Sequence, residues 1–435
     1  MKFILTLWLS FLVLPALAAS PCNCSHTIGL DTYMADGKRL KVQAGDTVCI
    51  EAGRRPYLRL ENFEGTAEEP IVFQNCGGKV TLGGPAVNDG IKILNSRHFR
   101  LTGTGDSAHT YGIHIVESRP GSQGVAVYHF SSDFEIDHIE IEKAGFAGIM
   151  AKTDPNCEGT ADRGAFTMYN VSLHDNYIHD VGGEGIYLGN SFYLGTKVYC
   201  DTFHLPHEVK GVRVFNNRVE NTGWDAIQVG SAVEDVEIFC NQIRNYGTAN
   251  KHAQNQAIQL GLGTTGRTYN NKIFGGSGPG IVVQGIGDNF VYNNLIVNPG
   301  QEAFNVNTRQ TLPGKGVYII NNTVVGAQNG VIREYVNKAA NNVFYNNLIV
   351  NSSNDWNHLK PYTDWTIEHN LLTDVGDVVF EAALENNYGL SQSSRAIDAG
   401  KDVSAYGIKT DLLSNPRPQG SSYDIGAFEY APTQQ

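Results

Sequence analysis

The chain has 435 residues, a formal net charge of −12 and 17 % charged residues, against 48 Gly. The acidic balance excludes a general nucleic-acid binder and a protein drawn to anionic membrane surfaces. Sparse charge with abundant turn formers points to an all-β chain with many tight corners.

Lys2, an apolar run over residues 3–14, Pro15 and the small-residue site Ala16-Leu17-Ala18 follow one another as in a cleavable export signal. The run is too short to span a bilayer, and no later segment is long and apolar enough to be a membrane helix. Cleavage after Ala18 would leave a soluble chain in the periplasm, at the cell surface or outside the cell. Residues 19–45 are read as an N-terminal cap, 46–381 as the repeat body and 382–435 as a closing segment or C-terminal cap. All seven Cys follow the signal, so disulfides are available. Cys22, Cys24, Cys49 and Cys76 cluster near the start. Cys157 and Cys200, each in a long loop, are taken as a pair. Cys240 is left as the odd thiol, read as a buried unpaired Cys in a strand.

Self-similarity dominates the body. Segments 173–189, 215–230, 269–285 and 292–307 repeat one pattern, and 319–332 and 344–351 continue it. One Asn recurs at Asn176, Asn217, Asn241, Asn271, Asn294, Asn322, Asn347 and Asn370, in steps of 41, 24, 30, 23, 28, 25 and 23 residues. A basic period with insertions describes a coil with loops grafted onto some turns. No single coil buries its apolar face, but stacking at ~4.8 Å per rung builds one long core. The Asn file is structural: Asn tolerates the left-handed conformation at corners, and stacked amides bond from rung to rung. The aromatic file Phe215, Phe239, Tyr269, Tyr292 and Tyr345 is read as stacking. The fold class is therefore all-β, a single right-handed parallel β-helix with long loops on one face.

These residues resemble the pectin-lyase-like right-handed β-helix superfamily over about residues 45–370. Residues 44–75 look like the first coils of many secreted members. Residues 394–400 and 415–430 are similar to a closing segment common on bacterial β-helix proteins. The resemblance specifies fold and leaves reaction open, because that superfamily hosts lyases, hydrolases, epimerases and adhesins.

A second file lies on another face. The apolar residues Ile149, Ile186, Ile227, Ile258, Ile281, Phe304 and Val331 align from coil to coil. Two positions earlier stand Ala147, Glu184, Asp225, Gln256, Pro279, Glu302 and Asn329. One position later stand Met150, Tyr187, Gln228, Gln259, Val282, Asn305 and Ile332. Strand alternation turns this last set outward. It is polar in the middle rungs and apolar on either side, as a substrate groove would be.

Glu184 and Asp225 fall on neighbouring rungs, roughly 5–8 Å apart. They are read as a general acid and its partner in glycoside cleavage. Alternatively they bind a Ca²⁺ that neutralises a uronate, or each caps its own corner. Insertions over residues 152–170, 190–210 and 246–256 wall the same rungs. They bring Lys152, Arg163, Lys197, Tyr199, His204, His207, Lys210, Lys251 and His252 to one end of the groove. His207 is the candidate base, and Tyr187, Lys210, Gln228, His252, Gln256, Gln259 and Asn305 are candidate substrate contacts. Pro206-His207-Glu208 is similar to a Pro-His-Glu element of the mannuronan C5-epimerase family, whose His is a catalytic base. Leu205 and Thr202 depart from that family's Asp and Tyr. Trp224-Asp225 keeps one carboxylate of the Asp-Asp pair of polygalacturonase-like hydrolases.

The favoured reading is a secreted, monomeric polysaccharide lyase acting on a uronate-containing polymer. The alternatives are a hydrolase using Glu184 and Asp225 without Ca²⁺, a C5-epimerase-like enzyme, and a non-catalytic glycan-binding surface protein.

Overall fold

The computed structural model describes residues 22–353, 364–374 and 380–431. The expected export signal lies outside them. One coil shows how the sequence winds. Glu208–Phe215 buries Val209, Val212 and Val214; Arg218–Glu220 follows one corner, and Ile227–Val229 a second. Each strand pairs in parallel with its counterpart in the next coil: Val212 with Val236, Val219 with Ile243, Ile227 with Ile258. Repetition gives a right-handed parallel β-helix with three strand files. Two files share a 23-stranded sheet and the third forms an 11-stranded sheet. Inward Val, Ile, Leu and Phe of all three files make one continuous core, which no coil could bury alone.

The Asn file stands at the corner between the first two strands. Asn217 Nδ2 donates to Asn241 Oδ1 at 3.0 Å, and the chain of amides continues through Asn271, Asn294, Asn322 and Asn347 to Asn370. The left-handed conformation expected of these residues falls instead on the residue before each, as at Asn216 (φ 53°), Asn270 (φ 54°) and Asn293 (φ 52°). The ladder Asn itself turns inward, where its amide serves the corner carbonyls: Asn241 Nδ2 also donates to Val214 and Phe239. Cys240 occupies the left-handed position of its coil, at φ 56°. It is exposed, and so is neither buried nor in a strand as expected. Phe215, Phe239, Tyr269 and Tyr292 stack nearly parallel, with centroids 4.9–5.0 Å apart. Ile320 interrupts the file before Tyr345.

The coil starts before residue 46. His26–Ile28 and Met34–Asp36 already pair with Thr47–Arg55 and Leu58–Glu61. The Cys22–Cys76 and Cys24–Cys49 bonds pin this first coil. The closing segment lies along the outside of the Asn corner. Asn293, Asn321 and Asn346 donate to the backbone of Thr410, Asp424 and Lys401. Within that segment the buried Arg417 meets Glu429 at 2.6 Å.

Candidate active site

The 11-stranded sheet supplies the site. Its rungs align Met150, Tyr187, Gln228, Gln259, Val282 and Asn305. At the last rung Ile332 pairs with Phe304 and Arg333 with Asn305. Arg333 therefore takes the outward position expected of Ile332, and Val331 precedes the strand.

Each strand is entered through a corner where two successive side chains point inward. A Cβ built on Gly185 would lie 2.5 Å from core Val219 Cγ1 and 2.5 Å from the Ala226 carbonyl. Hence Gly or Ala stands there: Gly148, Gly185, Ala226, Ala257, Gly280 and Ala303. The residue before it is thrown to the outer face. Ala147 packs with Met150 and Tyr187, outside the core, and Asn305 Nδ2 donates to Glu302 Oε1. Glu184, Asp225, Gln256 and Glu302 thus share a face with Tyr187, Gln228, Gln259 and Asn305.

Glu184 and Asp225 sit on adjacent rungs, with Gly185 N donating to the Asp225 carbonyl at 3.0 Å. Their backbones are therefore about 4.8 Å apart. Glu184 is 1 % exposed and Asp225 0 %. Asp225 Oδ1 accepts from the Gln256 amide at 2.9 Å. Glu184 Oε2, Asp225 Oδ2 and Gln256 Oε1 are buried without a hydrogen-bond partner. Arg55 Nε and Thr268 Oγ1 share that state elsewhere in the chain; what sets this place apart is three such oxygens on consecutive rungs. Burial pushes the Glu184 carboxyl up to about 7, with the charges of Lys251 and Lys152 pulling the other way. Burial, reinforced by the charge of Glu184, pushes Asp225 well above the usual carboxylate range, against the Gln256 N–H. Both groups hold protons where ordinary carboxyls have lost them.

Lys251 Nζ lies 3.1 Å from the Trp224 ring centroid, and Phe146 meets Trp224 edge-on at 5.1 Å. Lys152 Nζ lies 5.2 Å from the Tyr187 ring and 2.8 Å from Asp154. Beyond the pair the outer face opens into a cleft of about 500 Å³, with Gln256, Val282 and Asn305 in its floor and His252, Arg309 and Tyr335 at its rim. Gln228 Nε2 and the Tyr187 hydroxyl both reach Ser191 Oγ, at 2.5 and 2.9 Å.

Three residues expected at the groove are engaged elsewhere. His207 Nδ1 donates to the Glu208 carbonyl and Nε2 accepts from the Thr153 amide, each at 3.0 Å. The ring is buried against Phe166, and burial lowers its affinity for a proton. Thr153 lies beyond the exit of its strand and Glu184 before the entry of the next, at least a strand length apart, roughly 10 Å. His207 is therefore neither beside the carboxyl pair nor free to act as a base. Lys210 belongs to the larger sheet, where it meets Glu234 at 3.0 Å. His204 is bonded to Asp162 at 2.6 Å.

The oxygens of Glu184, Asp225 and Gln256 are hard donors of the kind Ca²⁺ takes. The ion needs six to eight oxygens, part of which water and a substrate carboxylate can supply; the three residues offer an incomplete set for a Ca²⁺ held by protein oxygens alone, and lysine charge opposes the ion here. Elsewhere among the described residues, Glu135, Asp137 and His174 converge, but Arg100 already joins both carboxylates, at 2.9 and 2.7 Å. In the sequence Trp224 was noted only for the acid that follows it, and Ser191 not at all. Trp224 carried a signal, an aromatic beside a buried acid, and Ser191 carried none.

No family model and no curated protein sequence matches the chain. Solved structures do. Pectate lyase Pel9A superposes with a TM-score of 0.53 at 15 % identity, over 96 % of this chain and 100 % of that one. The PL6 family alginate lyase AlyGC gives 0.43 at 16 % identity, over 86 % of this chain and 58 % of that one. The A-module of the Azotobacter vinelandii mannuronan C-5 epimerase AlgE4 gives 0.38 at 14 % identity, over 76 % and 88 %. The fold is the pectin-lyase-like parallel β-helix.

Proposed function

We propose that this chain is an exported enzyme that cleaves glycosidic bonds in a polysaccharide laid along the outer face of the 11-stranded sheet, with Glu184 as proton donor. One observation carries the reading. Glu184 is buried, has an oxygen with no protein partner, and keeps its proton up to about pH 7. A departing glycosidic oxygen needs such a donor. Three disulfides support an oxidising compartment.

Elimination from a uronate is favoured over hydrolysis. Lys152 and Lys251 act on the Glu184 carboxyl, and Lys152 supplies positive charge beside a uronate carboxylate. Asp225, held protonated, is a poor nucleophile. Lys251 replaces His207 as the candidate base at C5. Neutral Lys251 takes the C5 proton, the electron pair of the C5–H bond forms the C4–C5 double bond, and the C4–O bond breaks as the departing oxygen takes the Glu184 proton. Hydrolysis is the second reading, favoured by two carboxyl residues on adjacent rungs, the kind of close pair a retaining glycosidase uses.

The test is a panel of uronate-rich and neutral polysaccharides, followed by the ultraviolet absorbance of unsaturated ends together with reducing ends. Both signals rising in the wild type, and neither in Glu184→Gln, supports elimination. Reducing ends alone move the reading to hydrolysis. No product from any polymer overturns it in favour of a binding protein.

A further inference from the structure

The loop between Asn190 and Pro206 is not a passive wall. Thr196–Lys197 and Phe203–His204 pair antiparallel, making a two-rung hairpin. Hairpins of that length do not hold themselves together in water. This one is braced. The Cys157–Cys200 bond ties its tip to the neighbouring loop. Arg163 N donates to the Leu205 carbonyl at 2.9 Å, and the Arg163 guanidinium lies 3.8 Å from the Tyr193 ring. Its root is set into the site: Ser191 Oγ meets Tyr187 and Gln228 of the groove floor, and the Tyr193 ring closes on Gly263, where a Cβ would lie 2.3 Å from Tyr193 Cδ2. The hairpin thus stands over the exit ends of the strands, while Lys251 and His252 stand over their entry ends.

What it displays is apolar. Phe192 is 58 % exposed, Tyr199 88 % and Phe203 63 %. Phe203 lies against Gly195 of the same hairpin, yet all three rings remain largely in water on a braced element, which calls for an occupant. The chain's net charge is −12, and the hairpin's Lys197 and Asp201 pair with each other at 2.7 Å. Nothing there draws a polyanion by charge, so the exposed rings themselves must hold the occupant. The groove floor at its root is neutral and polar, lined by amides and hydroxyls. Amide floor and aromatic wall together match a sugar ring, whose edge is hydroxyl and whose face is C–H.

We infer that the hairpin is a second polysaccharide-binding element, on which Phe192, Tyr199 and Phe203 stack pyranose rings of the polymer as it leaves the groove. The inference rests on the reading of the groove as a polysaccharide site.

The experiment is affinity electrophoresis of the full mature chain through gels containing each polysaccharide, with kinetics on polymer and on short oligosaccharides. The triple variant Phe192→Ala/Tyr199→Ala/Phe203→Ala should lose roughly tenfold or more in retention and gain as much in KM for polymer. Its kcat on short oligosaccharides should stay at the wild-type level. Tyr199→Phe, which keeps the ring, should behave as wild type, and equal denaturation midpoints guard against misfolding. Unchanged retention in the triple variant overturns the inference while leaving the enzyme reading intact. Retention that depends on the three rings, in a chain that cleaves nothing, supports the inference and overturns the enzyme reading. A wild type retained by no polymer, or rings that prove to mediate a dimer in sedimentation, overturns the inference.

Discussion

Replacing Glu184 with Gln should stabilise the protein, and by an amount that depends on pH. The folded chain holds the Glu184 proton up to about 7, against an ordinary value of 4.5. A group that binds its proton more tightly folded than unfolded contributes stability that is complete below the unfolded value and is lost as pH rises through the folded one. Here the window runs from about 4.5 to about 7. At about 1.4 kcal/mol per pH unit, the loss reaches about 3 kcal/mol above that window. Gln keeps the shape and has no proton to lose. It also removes the charge that raises Asp225. Urea unfolding midpoints measured from about pH 4.5 to about pH 8.5 should therefore converge at the acid end. At the alkaline end the variant should be the more stable by about 3 kcal/mol. Parallel curves, or a wild type as stable as the variant at alkaline pH, would refute the assignment of a buried proton to Glu184. A gain in stability with a loss of activity is the usual signature of a functional group held in a destabilising place.

Further outcomes follow from the same geometry. The rate of cleavage should stop rising with pH at about 7, where Glu184 gives up its proton; a rate that goes on climbing well beyond this value contradicts the donor role. His207→Ala should cost about 1–3 kcal/mol, because the Thr153 amide loses its acceptor. Its kcat should change by less than about threefold, far short of the ~10² or more expected on removing a base. Cleavage should persist in EDTA, since lysine charge beside Glu184 stands where a Ca²⁺ would neutralise a uronate; abolition by EDTA and recovery on adding Ca²⁺ would show otherwise. Asn294→Ala removes donors to Thr268, Tyr292 and Asn322 and the acceptor for two Asn271 groups. It should destabilise the chain by about 3 kcal/mol or more, read in denaturant.

The rungs were legible in the sequence because the repeat constrains them one residue at a time. The inward Asn must carry an amide, and the corner residue before Ile186 or Ile227 must be small, so both files could be read by spacing. Reading slipped at Val331, one residue short of Ile332, which keeps the spacing from Asn322 that Ile186, Ile227, Ile281 and Phe304 keep from their own ladder Asn, so the outward position is Arg333. The left-handed residue was placed one position late, since Asn216 and Asn217 are the same residue type and only the backbone tells them apart. Loop chemistry was less legible. His207 stands beside acids in the chain, yet its partners are the amide of Thr153 and the carbonyl of Glu208, and no periodicity encodes such contacts. The closing segment was recognisable by pattern, but not its seat along Asn293, Asn321 and Asn346.

The most direct test sets wild type beside Glu184→Gln on anionic polysaccharides, with unsaturated ends and gel retention followed on the same preparations. Cleavage by the wild type, with retention but no cleavage by the variant, is the predicted result. Equal cleavage by both would contradict the role assigned to Glu184. Equal retention with no cleavage by either would make the groove a binding site and not an active site.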